Sequence, residues 1–452
     1  MLGTADVVTT VVEEIRDIFA EAKRTNKKAP FIVCDPVMVA TTGAELMERG
    51  TQDVMVRDLF PLCDIVTPNL KEAEKLAGFP IKSPKDVARA AAVIRETGKC
   101  KNVLIKGGHS NSAYMQDYLL QDDGEVTWLT TPKVDTANTH GTGCTLSSAL
   151  AAVSAGGTGT TPGHSLNRNA NPNLASHVVL AKAYVHQGIR AGAQIGKGPG
   201  PVGQTYWPQE HQSFPWATPT AHEGAEGRYG PFPEVGSPGI QLLPVVPNAE
   251  WVDKLGKIIT EEKMTSAVHV QIRPKGLTRE QLEMEIKKAC DLSRKHGIKL
   301  WVNDHWDLAI KHKAFGLHVG QEDLFKVDGK GCQTEVDLQE VHKAGLRLGV
   351  STHNYHELAK GLAIRPSYVS LGPIYPTQSK AVKYHPQTLE GIKCWRSLTP
   401  PSMPLVAIGG ISMEDAEDII RNGAEGIAVI GAVVGAKDVG AALRAWDKKW
   451  LK

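Results

Sequence analysis

No stretch of this chain is apolar for the length a membrane span needs, which removes membrane-spanning helices and a membrane partner from the readings open to it. Charge of one sign is missing too. Its 51 Lys and Arg residues are scattered among 49 Asp and Glu, a formal net charge of +2, so there is no basic field of the kind that holds nucleic acid. Seven cysteines, at 34, 63, 100, 144, 290, 332 and 394, form no CxxC pair and have no metal-like histidine spacing, which points to reduced thiols in an intracellular compartment. The N-terminus lacks a basic segment leading into an apolar one, so no secretory signal is read there. What is present, 452 residues of which 41% are hydrophobic, suits two large α/β domains with small-molecule partners. Homo-oligomerisation stays open at this level.

Residues 208–238 hold six prolines and four glycines with neither a helical nor an alternating apolar period, and are expected to link domain 1–207 to domain 239–452. The polar run Gly156–Asn173 reads as a surface loop. Beyond the linker, short apolar runs alternate with helix-length segments: Ile240–Val246, Ala267–Arg273, Ile298–Asn303, Phe315–Gly320, Leu346–Ser351, Tyr368–Gly372, Pro404–Gly409 and Gly426–Ile430. Eight strands in such alternation predict a closed (β/α)8 TIM barrel; spacing alone also permits an open doubly wound sheet, and the strand count favours the barrel.

Polar residues fall at the ends of these runs, which a barrel gathers on one rim. Gln271, Arg273 and Lys275 alternate at period two, on one face of the second strand and its extension. Asn303 and Asp304 follow the third strand, Asp323 the fourth and Ser351 the fifth. Thr377, Ser379 and Lys380 stand in a turn stiffened by two prolines after the sixth, Gly409-Gly410 end the seventh, and Ile430-Gly431 the eighth. Arg presents a planar fork of donors to phosphate oxygens and Lys a compact charge. Asp304 and Asp323 offer two hard oxygens for Mg2+, although Asp304 could equally cap the helix Trp306–Lys311. Glycines at the last two strand ends let backbone N–H groups close around a second phosphate. Room for a magnesium diphosphate beside a monophosphate points to displacement of diphosphate by a phosphorylated nucleophile.

The runs VQIRPK (270–275), ND (303–304), HVGQED (318–323), GVSTHN (349–354), GPIYPTQSK (372–380) and AIGGI (407–411) resemble thiamine-phosphate synthase, in order and across nearly all of 239–436. The resemblance implies joining of 4-amino-2-methyl-5-hydroxymethylpyrimidine diphosphate to 4-methyl-5-hydroxyethylthiazole phosphate through a pyrimidine carbocation. It also implies that Arg273, Lys275 and Lys380 stabilise the departing diphosphate, that Asp304 and Asp323 hold Mg2+, that Thr377 and Ser379 help bind ligand, that Gln271 contacts the pyrimidine or the diphosphate, and that Ser351 lies at the pyrimidine region. Two departures stand out: Gly431 replaces the Ser of many members, and Phe325–Thr334 adds a loop expected to bulge from the rim.

In the first half, a helical Ala5–Lys23 precedes FIVCDPVM (31–38), CDIVTPNLKEAE (63–74), NVLIKGGH (102–109) and ANTHGTGCTLSSALAAV (137–153). Gly141 and Gly143 open an apolar helix whose free N–H groups would face an anion, or simply mark a glycine-bounded helix start. DPVMVATTG (35–43), TPNLKEAE (67–74), LIKGGH (104–109) and NTHGTGCT (138–145) resemble hydroxymethylpyrimidine and phosphomethylpyrimidine kinase, of the ribokinase-like α/β fold. That resemblance implies ATP and Mg2+ organised by Asp35, Asn69 and Glu72, γ-phosphate stabilisation by Lys106 and the Gly141–Gly143 anion hole, and proton removal by Cys144, a thiol at a helix N-terminus. Met1-Leu-Gly-Thr-Ala-Asp resembles an internal part of that family, so the domain is expected to be incomplete at its N-terminus and its kinase turnover weak or absent. Localisation is expected to be cytoplasmic, or plastid where a transit peptide precedes Met1. The competing reading is a non-catalytic sensor of pyrimidine or thiamine phosphates; the set of charges around the barrel favours catalysis.

Overall fold

The structure is a computed structural model that describes residues 2–38, 46–107, 113–156, 173–221, 230–266, 268–324, 327–328, 331–332, 334–377 and 384–450, with the side chains at 322–323, 327–328, 331–332 and 334–337 excepted. They fall into two compact units, one of the described residues within Met1–Leu166, Asn173–Pro208 and Ser213–Ala225, the other of those within Gln209–Gln212 and Glu226–Lys452.

The first unit is built on a six-stranded sheet ordered β1 (Val33–Cys34), β2 (Ile65–Val66), β3 (Asn102–Ile105), β4 (Tyr114–Leu120), β5 (Val126–Pro132) and β6 (Trp216–Thr218). Pairing is parallel from β1 to β3 and antiparallel from there on. Asp122-Asp123-Gly124 turns β4 into β5, with Gly124 at a φ of 87° that a side chain would resist. Within 208–238, the stretch expected to link the domains, Trp216–Thr218 adds an edge strand to this sheet, and Phe232 and Val235 are buried in the second unit. Of the expected loop 156–173, residues 157–172 lie outside the described residues.

The second unit is a closed barrel of eight parallel strands: β7 (Leu242–Val246), β8 (His269–Ile272), β9 (Lys299–Asn303), β10 (Gly316–Val319), β13 (Arg347–Thr352), β14 (Tyr368–Leu371), β15 (Leu405–Ile408) and β16 (Gly426–Val429). Between β10 and β13 a two-residue hairpin, β11 (Val327–Asp328) with β12 (Gly331–Cys332), occupies part of the insertion expected as a plain loop. Closure pairs β16 with β7 and leaves no strand edge to protect. Inside, large side chains face glycines. A Cβ on Gly349 would sit 2.2 Å from the Tyr368 ring, and one on Gly316 would sit 2.4 Å from Trp301, whose ring meets Tyr368 edge-on at 5.0 Å. At the N-terminal end of the strands, residues 232–235 are tied down: Arg347 Nε donates to the Glu234 carbonyl at 2.8 Å and Ser367 Oγ to that of Pro233 at 2.6 Å. Chemistry is therefore left to the opposite rim. Among the described residues no helix is long and apolar enough to cross a membrane.

Candidate active site

Because all eight strands run the same way, every residue at a C-terminal strand end reaches the same rim. Gln271 and Asn303 form its floor: both are buried, and Gln271 Nε2 donates to Asn303 Oδ1 at 2.7 Å. Arg273 follows β8, its backbone N–H bound to the Val246 carbonyl at 2.8 Å, and Lys275 is exposed two residues further on. Asp304 sits at a φ of 65°, a left-handed conformation that costs a non-glycine residue free energy and that neighbouring structure must enforce. Here the enforcement is visible, since its N–H donates to the His318 carbonyl at 2.9 Å and its own carbonyl accepts from Trp306 N at 3.0 Å. The N-cap of helix Trp306–Lys311 is His305, which makes no side-chain cap hydrogen bond.

The fourth and fifth strand ends are joined by His318, which the sequence motifs include but to which they assign no role. Its Nδ1 lies 2.6 Å from Tyr368 Oη and its Nε2 2.9 Å from Ser351 Oγ. Burial pushes the Tyr368 phenol far above its ordinary pKa, so it stays protonated, and the tautomer of His318 sets which atom of each pair donates. Asp323 lies in the short helix Gln321–Leu324, its side chain outside the described residues.

On the far side, the glycine pair and the proline turn interlock. Ile374 N donates to the Ile408 carbonyl at 2.9 Å and Tyr375 N to that of Gly409 at 3.0 Å. A Cβ on Gly410 would come within 2.6 Å of the Pro376 carbonyl, and one on Gly409 within 2.7 Å of Pro373. Thr377 is the last residue of this turn that is described; Ser379 and Lys380 lie outside the described residues. Ile430 precedes the one-turn helix Gly431–Val434, and a Cβ on Gly431 would meet nothing within 4 Å.

The first unit has a second cluster. Lys106 Nζ pairs with Asp35 Oδ1 at 2.7 Å, both largely buried, and a Cβ on Gly143 would stand 3.3 Å from Asp35 Oδ2 and 3.4 Å from Lys106 Nζ. The start of helix Thr142–Ser154, with Gly141 at a φ of 86° before it, therefore lies against the ion pair. Asn69 and Glu72 close a reciprocal capping box on helix Leu70–Ala77, at 3.0 and 2.8 Å. Burial raises the pKa of the Glu72 carboxyl, an effect opposed by its bond to the Asn69 N–H and by the Lys106 charge. Cys144 is exposed, whereas Cys34, Cys63, Cys100 and Cys290 are buried; it borders a cavity of about 500 Å³ with Ser148, Ala149, Tyr184, Gln204 and Trp207. Residues 39–43 and 108–109 of the kinase-like motifs lie outside the described residues.

Comparison with known proteins follows the same division. Residues 242–433 match the family described as thiamine monophosphate synthase, and residues 1–203 the phosphomethylpyrimidine kinase family. Over 197 residues, 44% of this chain, it is 42% identical to the thiamine-phosphate synthase of Photorhabdus laumondii and covers 83% of that protein. The chain belongs to the thiamine-phosphate synthase family. A phosphomethylpyrimidine kinase domain precedes its synthase domain. Among solved structures, a Pyrococcus furiosus thiamine phosphate pyrophosphorylase is 25% identical, covering 47% of this chain and 98% of its own, with a TM-score of 0.38. The Clostridium difficile 630 phosphomethylpyrimidine kinase is 27% identical, covering 41% of this chain and 64% of its own, with a TM-score of 0.30. Beyond His318, sequence reasoning passed over Glu357 and Tyr384 of the synthase domain, whose carboxylate and hydroxyl lie 3.3 Å apart. The Asn354-to-Glu357 spacing of a helix cap is the signal that could have drawn attention to Glu357.

Proposed function

We propose that the barrel joins 4-amino-2-methyl-5-hydroxymethylpyrimidine diphosphate to 4-methyl-5-hydroxyethylthiazole phosphate, giving thiamine phosphate and diphosphate. The observation that carries this reading is the rim: Gln271, Arg273, Asn303, Asp304, Ser351 and the interlocked Gly409–Gly410 turn all stand at the C-terminal ends of one parallel barrel. The bond from the pyrimidine's exocyclic methylene to the diphosphate oxygen breaks with its electron pair leaving on oxygen. The thiazole nitrogen then supplies a pair to the same carbon. Arg273, Lys275 and Lys380 meet the charge that grows on the leaving group, and such preorganised charge is the greatest help a site of this kind can give to the reaction. Thr377, Ser379 and the N–H groups around Gly409, Gly410, Ile430 and Gly431 hold the phosphates, while Gln271, Asn303 and Ser351 orient the pyrimidine.

The donor chemistry fits Mg2+, since Asp304 offers a hard carboxylate held by backbone bonds at the rim and Asp323 follows the neighbouring strand. Bound there, the ion would neutralise diphosphate oxygens. Incubating the full chain with both phosphorylated substrates and Mg2+ tests the reading; appearance of thiamine phosphate supports it. Tight ligand binding without product would instead leave a sensor.

For the first unit the same proposal assigns ATP-dependent phosphorylation of the hydroxymethylpyrimidine phosphate. Lys106 and the N–H groups of Gly141–Gly143 hold the transferred phosphoryl group, Asp35, Asn69 and Glu72 organise ATP and its Mg2+, and Cys144 takes the substrate proton. ADP release that Cys144→Ala abolishes would support this role, and no ADP above background would overturn it.

A further inference from the structure

Among the described residues the rim holds a buried carboxylate that none of these steps uses. Glu357, 8% exposed, receives four donors: His353 N at 2.8 Å and His353 Nδ1 at 2.7 Å on Oε2, Asn354 Nδ2 at 3.0 Å and Tyr384 Oη at 3.3 Å on Oε1. Part of this is ordinary helix capping, because Asn354 Oδ1 accepts from Glu357 N at 2.9 Å and Glu357 stands in the first turn of Tyr355–Ile364. Capping asks for one backbone N–H. It does not ask for an imidazole and a phenol from outside the helix.

Those two rings also stack face to face, with centroids 3.9 Å apart and planes 9° from parallel. His353 is the first residue after β13, two positions beyond Ser351, and Tyr384 stands four residues after Lys380. Below Tyr384 the chain is bound again: the N–H groups of Gln387 and Thr388 donate to the carbonyls of Pro373 and Ile374 at 2.7 and 3.0 Å, and Gln387 Nε2 donates to the His353 carbonyl at 3.3 Å. A third loop joins from the other side. Gln321, two residues before Asp323, donates through Nε2 to the Ser351 carbonyl at 2.7 Å and the Glu357 carbonyl at 3.4 Å.

We infer that Glu357, acting through His353 and Tyr384, is a positioning residue of the synthase: it sets the register between the loop after β13 and the segment Tyr384–Thr388, which follows Lys380 in the sequence, with Gln321 of the Asp323 helix bound alongside. The carboxylate touches no substrate in this scheme. Its work is to hold the stacked pair, and a buried anion with four donors holds them more tightly than a neutral amide, which must turn an NH2 group toward one of those donors. The inference rests on the proposed synthase reaction for its effect on turnover, but not for its effect on the turn.

Glu357→Gln keeps the shape and removes the charge. In this variant kcat should fall about tenfold, the scale expected for a small misplacement of a catalytic group, while the melting temperature shifts only slightly. In a Lys380→Ala background the same change should cost nothing further, because it acts through the group already removed. His353→Phe, which preserves the stack, should retain more activity than His353→Ala. Hydrogen exchange of the Gln387 and Thr388 amides supplies a readout without turnover and should quicken in Glu357→Gln. Additive losses with Lys380→Ala, or unchanged exchange at those amides, would overturn the inference. No thiamine phosphate from the wild-type chain, together with quickened exchange in Glu357→Gln, would sink the functional reading and leave the tie standing.

Discussion

In the first unit the charged groups meet through side chains: Lys106 reaches Asp35 across 71 positions of sequence, and the helix carrying Gly143 closes over the pair. In the barrel the polar groups are delivered by backbone, each at the end of its own strand, with strand pairing setting the spacing. The two parallel pairings in the first sheet rest on strands of only two and four residues, whereas each barrel strand has four to six residues and two neighbours. A cluster held by one ion pair should lose structure when a charge is removed. A rim held by a closed sheet should lose only chemistry.

The largest effect expected on this contrast is at Asp304. Asp304→Asn keeps a side chain that tolerates the left-handed backbone, so the fold should melt within a few degrees of the parent. Turnover should fall by about a hundredfold or more, as loss of one electrostatic contact in such a site does. A comparable loss of stability would show that the barrel rim is no more independent of its charges than the first unit. Lys106→Met makes the opposite case. It leaves Asp35 without its partner in a largely buried place, so the first unit should lose about 2 kcal/mol, a shift of several degrees in its own melting transition. Synthase turnover should not change. Equal displacement of both units' transitions would break the comparison.

The same contrast governs what could be read from sequence. The barrel strands were legible because each is an apolar run with its polar residue at the end, the pattern a strand buried on both faces must have. The first unit hid its β4–β5 hairpin. Asp117 sits inside β4 and would ordinarily count against a buried strand, but its carboxylate is paired with Lys182 at 2.7 Å and accepts the Gly107 N–H at 2.9 Å. Nothing local to Tyr114–Leu120 announces a lysine 65 residues away. Likewise β6 is three residues set between Pro215 and Pro219, too short to show a period. In the candidate site, residues at strand ends could be named from the sequence alone, whereas the bond between His318 and Tyr368, 50 residues later, has no local signal.

A buried histidine offers a pH test of the barrel alone. His269 is fully buried at the start of β8, accepts from Trp301 Nε1 at 3.0 Å, and has its pKa pushed down to about 3, chiefly by burial. The unfolded chain protonates it near 6.5 while the folded barrel resists, so the unfolded state binds more protons as pH falls through that window. Stability should therefore be full above about pH 6.5 and decline by up to about 1.4 kcal/mol per pH unit below it. His269→Gln, which cannot titrate, should reduce the barrel's decline, leaving the share of His356, whose pKa burial also pushes down to about 3, and should leave the first unit's decline as it was. If denaturation midpoints of the variant barrel drop with acid as steeply as the parent's, His269 is not the group responsible.

The smallest effect concerns the one rim position that lacks a side chain the family resemblance leads one to expect. Gly431 has open space where a Cβ would stand and needs no positive φ, so Gly431→Ser should fold without strain. Its hydroxyl would begin the short helix Gly431–Val434, whose Val433 and Val434 N–H groups donate to the Ile430 carbonyl. One added neutral hydrogen bond to a phosphate oxygen is worth about 1 kcal/mol, so KM for the thiazole phosphate should fall about fivefold, with kcat and KM for the pyrimidine diphosphate little changed. Selectivity is the point of the measurement. If KM for the diphosphate falls instead, the two phosphate positions on the rim are exchanged; if neither moves, the eighth strand end does not touch substrate, and the monophosphate is held by the Gly409–Gly410 turn alone.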